Sequence, residues 1–261
     1  MSAHAKKSLG QHFLTSKELA KKIVETANVS KKDTVLEIGP GKGILTEALC
    51  ARAGLVIAIE KDSLMVEHLK EKLSDEIECN KLKLVHGDIL SLSLRKKVLP
   101  KKYKLVANIP YYITGQIFRT FLDTLNQPSV MVLLVQKEVA DRIVKDEKGS
   151  ILSVSVRAYS TPIYVKTVKA GNFFPKPRVD SAILALTNIS RKRFRDSKEE
   201  KRFFELIHAG FAHKRKLLIR NLDHFGNSNH LKTVFDRANV PEKARAEDLS
   251  IESWVDILRG L

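Results

Sequence analysis

Short apolar runs alternate with stretches of helical periodicity over the first two thirds of this 261-residue chain, and that alternation limits its fold most. Strands are expected at 35–38, 55–59, 82–86, 105–107 and 130–135, with helices at 17–27, 44–53, 63–73 and 116–125. The first helix is expected to open on a capping box, Thr15-x-x-Glu18. In the third, Met65, Leu69 and Leu73 recur on one face, as an amphipathic helix requires. Strands that alternate with helices bury their apolar faces in an α/β fold, a parallel sheet with helices on both sides. From residue 153 the pattern turns β-rich, at 153–159, 163–169 and 182–187, and these segments are expected to close the sheet edge in antiparallel fashion. A charge run, Arg191-Lys192-Arg193-Phe194-Arg195, marks a boundary. After it the periodicity is helical, at 199–212, 217–223, 230–238 and 251–258. The expected division is therefore 1–188 and 189–261, the second part a small all-helical domain.

The charge balance is strongly basic: 46 Lys and Arg against 30 acids give +16. Such an imbalance favours an anionic polymer partner, nucleic acid before membrane surface. No stretch approaches the ~18 apolar residues of a membrane span, and residues 1–13 lack the apolar core of an export signal. No membrane association and a cytoplasmic location are expected. Cys50 and Cys79 have neither disulfide nor metal spacing. His208, His213, His224 and His230 are scattered without ligand spacing, so no metal site is expected.

The run Glu37-Ile38-Gly39-Pro40-Gly41-Lys42-Gly43 follows the first strand and opens a helix. Glycines there let the backbone turn tightly and approach a ligand. A dinucleotide fingerprint, G-x-G-x-x-G, would place its third glycine at Ile44; G-x-G-x-G is the pattern of S-adenosylmethionine enzymes. Glu60 ends the second strand about twenty residues on, where an acid accepts ribose hydroxyls. Gly87-Asp88 ends the third, where a carboxylate can accept an adenine amine. Each alone is as well read as a turn or a solvent-facing acid. Three suitable groups at successive strand ends, all on one edge of the sheet, are less easily accidental.

Past the fourth strand stands Asn108-Ile109-Pro110-Tyr111. An uncharged acceptor and an aromatic, fixed by a proline, suit the holding of a planar amine for attack on an electrophile. Asn has no proton to exchange near neutrality, so it is no general base. The chemistry calls for a nucleophile that needs positioning and an electrophile that carries its own activation, such as a methylsulfonium.

With these residues in view, the chain closely resembles the ribosomal RNA adenine N6-dimethyltransferases. The matching segments are Gly10-Gln11-His12-Phe13-Leu14, Glu37 to Gly43, Glu60, Gly87-Asp88, Asn108 to Tyr112, and Asn172-Phe173-Phe174-Pro175-Lys176-Pro177-Arg178-Val179-Asp180-Ser181. The resemblance implies a Rossmann-like S-adenosylmethionine-dependent methyltransferase sheet with a C-terminal helical RNA-binding domain. It implies that His12, Leu14, Gly39, Gly41, Glu60, Asp88 and Asn108 hold the cofactor, His12 standing where many relatives have Asn. It implies catalytic roles for Asn108, Pro110 and Tyr111. Tyr111 with Phe173 or Phe174 would flank the target base; core packing is the plainer reading of each ring outside the motif. Phe211-Ala212-His213-Lys214-Arg215-Lys216 resembles the family's second domain and would bring Lys214, Arg215 and Lys216 to the RNA. The implied substrate is two adjacent adenosines in the 3′-terminal stem-loop of small-subunit RNA, in a pre-30S particle, with the enzyme a monomer.

Residues 191–220 carry eleven Lys and Arg against four acids, a local +7. A solvated face explains such a run as readily as an RNA contact. Two other readings stay open: an erythromycin-resistance type of enzyme acting on large-subunit RNA, and a non-catalytic assembly factor. Ile44 disfavours a dehydrogenase.

Overall fold

The computed structural model describes residues 11–145 and 148–261. The chain divides into two compact units, one up to Ala140 together with Pro162–Ile189, the other Asp141–Thr161 together with Ser190–Leu261. The division expected at 188/189 omits the excursion at 141–161.

The first unit holds a two-stranded ribbon, β1 (Phe13–Leu14) with β8 (Phe173–Phe174), and a seven-stranded sheet. The sheet strands are β2 (Thr34–Ile38), β3 (Leu55–Glu60), β4 (Leu82–His86), β5 (Lys104–Asn108), β6 (Met131–Gln136), β7 (Thr161–Val168) and β9 (Ser181–Thr187), in the order β4-β3-β2-β5-β6-β9-β7. The strands β4 to β6 run parallel, and β9 closes antiparallel on β6 from Met131↔Leu186 to Gln136↔Ser181. The chain winds outward from β2 in both directions, so the order reverses between β2 and β5. Open α/β sheets bind ligands at the carboxyl ends of the strands beside such a reversal.

Helices α1 (Lys17–Thr26) and α2 (Ile44–Cys50) cover one face of the sheet. Leu19, Ala20, Ile23, Val24, Leu45 and Leu49 pack against the alternate strand residues Val56, Ala58, Val132 and Leu134, which point to one side of the pleat. Truncating a buried Ile such as Ile23 to Ala would cost on the order of 2–5 kcal/mol. The cap of α1 falls one residue later than expected. Ser16 Oγ accepts from Leu19 N at 3.1 Å, while Thr15 Oγ1 donates to the Asn172 carbonyl at 2.9 Å. Helices α3 (Ser63–Lys72) and α6 (Thr114–Leu122) form near their expected places; the short α4 (Ser74–Glu78) and α5 (Leu92–Val98) carry too few apolar residues for periodicity to disclose them.

One expectation fails outright. Residues 153–159 are not a strand but part of α8 (Ile151–Tyr159), which follows α7 (Lys137–Val144). The β-branched valines favour a strand locally; the start signal overrides them. Ser150 Oγ accepts from Ser153 N at 3.2 Å, and Ser153 Oγ accepts from Ser150 N at 2.8 Å, a reciprocal capping box. Arg157 then donates to the Ile143 carbonyl at 3.0 Å, satisfying an end of α7.

The second unit is helical, with α9 (Ser197–Gly210), α10 (Leu218–Asn221), α11 (Ser228–Arg237) and α12 (Ile251–Gly260) alongside α8. Its core includes the ring cluster Tyr159, Phe194, Phe203 and Phe204. Beside it the Tyr159 hydroxyl donates to Glu200 at 2.6 Å, and Arg191 forms a two-point ion pair with the same carboxylate. Among the described residues no helix is long and apolar enough to cross a membrane.

Candidate active site

Four strand ends converge at the sheet reversal. The loop after β2 has left-handed backbone at Gly39 (φ +64°) and Gly41 (φ +56°), where a side chain is strained. The two positions serve different ends. A Cβ on Gly41 would stand 2.7 Å from Phe13 Cδ1, whereas one on Gly39 would meet nothing within 4 Å among the described residues. Gly41 allows close packing, and Gly39 leaves space open to a cavity of about 190 Å³.

That cavity brings together eight of the residues chosen from sequence: His12, Gly39, Gly41, Glu60, Asp88, Asn108, Pro110 and Tyr111. Glu60, at the end of β3, is buried. Its Oε2 accepts from Gly41 N at 3.2 Å and its Oε1 from Asp62 N at 2.9 Å. Burial pushes its carboxyl above the usual range, with these N–H donors opposing the shift. Each oxygen keeps a lone pair for a further donor. Asp88, two residues past β4, accepts from Leu90 N at 2.9 Å and from Lys61 Nζ at 2.9 Å. The hydrogen bond from Lys61 holds its carboxyl below the usual range.

Asn108 ends β5. Its Nδ2 donates to the His12 main-chain carbonyl at 2.9 Å, and among the described residues no donor is bonded to its Oδ1. The Pro110 carbonyl takes the Ile113 N–H at 3.2 Å, and Ile109 also lines the cavity. An amide oxygen and a peptide oxygen together can accept both hydrogens of one amino group. His12 stacks on Tyr111 at 5.8 Å and 25°, and its Nδ1 lies 2.7 Å from the Pro175 carbonyl. A carbonyl only accepts, so Nδ1 carries the hydrogen. The Tyr111 hydroxyl bonds Ser181 Oγ at 2.7 Å.

Two chosen side chains lie elsewhere. Phe173 is 3% exposed and belongs to the hydrophobic core, so it has no free face for a base; Phe174 beside it is 64% exposed. Successive strand residues point to opposite sides, which is why only one of the pair is accessible. Leu14 is likewise in the core; it lines a small void of about 20 Å³ under the glycine loop. Gly10 lies outside the described residues. Lys61 and the exposed Tyr112 line the cavity without having been singled out. Lys61 adjoins Glu60, but its partner Asp88 is 27 residues away, a distance no local motif spans.

In the second unit Lys214, Arg215 and Lys216 are exposed and make no ion pair among the described residues. Their turn is held by Asn221, whose Nδ2 donates to the Gly210 and His213 carbonyls at 2.6 and 3.2 Å. The earlier charge run is partly consumed inside the unit: Arg191 pairs with Glu200 and Arg193 with Glu252.

Residues 2–261 match the family model described as ribosomal RNA adenine dimethylase. This chain belongs to that family. It is an S-adenosylmethionine-dependent ribosomal RNA adenine methyltransferase. It is 42% identical over 255 residues to a ribosomal RNA small subunit methyltransferase A of Dehalococcoides mccartyi, covering 96% of this chain and 86% of the relative. A protein of the same name from Clostridium botulinum is 37% identical, with 95% and 90% covered. Among solved structures, the 23S rRNA methyltransferase ErmE aligns with a TM-score of 0.80 at 26% identity, covering 95% and 99%. A dimethyladenosine transferase from Plasmodium falciparum aligns with 0.77 at 26%, covering 94% and 96%. The Rossmann-like methyltransferase fold expected from the motifs is the fold observed.

Proposed function

We propose that this enzyme dimethylates N6 of two adjacent adenosines in the 3′-terminal stem-loop of small-subunit (16S) ribosomal RNA. It would act as a monomer, in the cytoplasm, on a pre-30S particle. The observation that carries the chemistry is the Asn108–His12 hydrogen bond, which leaves Oδ1 free as an acceptor at the cavity. The choice of small-subunit RNA rests on relatives bearing that name at 37–42% identity, against 26% for ErmE.

The cavity fits the cofactor. Gly39 leaves the room a ligand needs, Glu60 offers two carboxylate oxygens to ribose hydroxyls, and Asp88 stands where it can accept an adenine amine. His12 and Gly41 line the same cavity. When bound, S-adenosylmethionine supplies a methyl group already activated by a sulfonium. The chain's own task is then to present the target amine, whose lone pair is delocalised into the adenine ring. Asn108 Oδ1 and the Ile109 carbonyl accept its two hydrogens and favour a pyramidal nitrogen. Pro110 fixes the turn that carries these acceptors. Orientation of this kind supplies on the order of 7–11 kcal/mol of a barrier.

Tyr111 and Phe174 provide aromatic walls for the base; stacking is worth roughly 1–3 kcal/mol per base, which helps offset extrusion of the base from its stack. Lys214, Arg215 and Lys216 meet the phosphate backbone, which positions RNA without reading its sequence. Incubation with radiolabelled S-adenosylmethionine and either unmethylated small subunits or naked large-subunit RNA tests the substrate. Label in small-subunit RNA, recovered as N6,N6-dimethyladenosine, is expected. Label in large-subunit RNA would move the enzyme to the resistance class, and label in neither would leave an assembly factor.

A further inference from the structure

Phe13 and Phe174 are directly paired across the β1–β8 ribbon. Opposed residues of an antiparallel pair share a face, so the two rings are neighbours. Lys42, from the glycine loop, reaches over both. Its Nζ lies 5.4 Å from the Phe13 ring centroid and 5.8 Å from that of Phe174. Both distances are within the ~6 Å at which a ring quadrupole attracts a cation. Among the described residues no carboxylate pairs with Lys42.

The two rings differ in freedom. Phe13 is buried and packs against Gly41, while Phe174 is largely exposed. Phe174 does not itself line the cavity but adjoins residues that do. Its strand partner Phe13 lines it, and the next carbonyl, of Pro175, is bonded to His12. An exposed phenyl ring at a site rim keeps its rotamer only if something holds one of its faces.

We propose that Lys42 is a positioning residue for the target base: its ammonium holds the Phe174 ring beside Phe13 and leaves the outer face of Phe174 to the adenine. This rests on the reading of Phe174 as a wall of the base slot. It ties the cofactor loop to the base slot through a single side chain, because Lys42 lies between Gly41 and Gly43.

The test is a double-mutant cycle with unmethylated small subunits as substrate. Lys42→Met keeps the stem and removes the charge; Phe174→Leu keeps apolar bulk and removes the ring. Lys42→Met is expected to raise KM for the particle about 3- to 20-fold, the range of a cation–π contact. The dissociation constant for S-adenosylmethionine should stay within about twofold, and Lys42→Arg should restore KM, since guanidinium also binds ring faces. In the Phe174→Leu background, Lys42→Met should add nothing, because coupled residues are non-additive. An equal rise in both backgrounds would overturn the proposal in favour of a direct phosphate contact, and so would no rise in the wild-type background. If Phe174→Leu alone leaves KM unchanged, the base-wall reading itself fails, and the role of Lys42 falls with it.

Discussion

Tyr111 and Ser181 join their hydroxyls in a 2.7 Å hydrogen bond. Ser181 is fully buried at the start of β9, two places from β5 in the sheet. The bond therefore anchors the turn after β5 to a distant strand and sets the plane of the Tyr111 ring. Burial raises the phenol pKa further above its ordinary value, against the opposing hydrogen bond with Ser181. Tyr111→Phe should lower stability by roughly 1–3 kcal/mol through the unpaired Ser181 hydroxyl, while retaining a ring for stacking. Tyr111→Ala should in addition raise KM for RNA by roughly 5- to 100-fold, the worth of one base–aromatic stack. Steady-state kinetics alongside thermal melts of the two variants separate these effects.

Glu60 is a cofactor-affinity residue on this account. Glu60→Gln removes the charge and one acceptor oxygen while conserving shape. Hydrogen bonds to charged groups contribute about 1.5–3 kcal/mol, so S-adenosylmethionine should bind about 10- to 100-fold more weakly. Isothermal titration calorimetry reads this directly; unchanged affinity would remove Glu60 from the site.

Glu37 gives the protein a pH signature. It is 1% exposed, its Oε2 has no hydrogen-bond partner among the described residues, and burial, reinforced by the Glu60 charge, pushes its carboxyl up to about 8 from 4.5. The Thr46 hydroxyl offsets this in part without completing a hydrogen bond. With the folded value raised, the native state holds a proton that the unfolded chain has lost across this window. Stability from this group is thus full below pH 4.5 and declines as pH rises to about 8. The slope is at most about 1.4 kcal/mol per pH unit. Urea denaturation of wild type and Glu37→Gln between these limits should show the variant with the flatter profile and the greater stability at the alkaline end.

Salt should weaken RNA binding steeply, since each phosphate neutralised by Lys or Arg releases a counterion. Replacing Lys214, Arg215 and Lys216 together by Ala should lower the log–log salt slope by about 2, at roughly 0.7–0.9 per phosphate contact. Filter binding across a salt series measures the slope. An unaltered slope would place the phosphate contacts on other residues.

Much of the first unit was legible because strands such as β3, β6 and β9 are buried on both faces and read as continuous apolar runs, as in Met131–Gln136. The site residues at strand ends were legible for the same reason: once the strands are located, Glu60, Asp88 and Asn108 fall at one edge. What local sequence does not carry is partnership. Nothing near Lys61 announces Asp88, and nothing near Tyr111 announces Ser181. The adjacent rings Phe173 and Phe174 are alike in type, and only the ribbon's side-to-side alternation separates the core ring from the exposed one. At 153–159, Ser and Val in alternation imitate a half-buried strand, and the helix rests on the Ser150–Ser153 box and on packing.

The central claim is that Asn108 presents the adenine amine for methyl transfer within small-subunit RNA. The most direct measurement is nucleoside mass spectrometry of small-subunit RNA after incubation with S-adenosylmethionine and either wild type or Asn108→Ala, both first shown to bind the cofactor. The account predicts N6,N6-dimethyladenosine with wild type and a loss of about 100-fold or more in rate with the variant, as misplaced reacting groups cost. Dimethyladenosine formed by Asn108→Ala at the wild-type rate would contradict it.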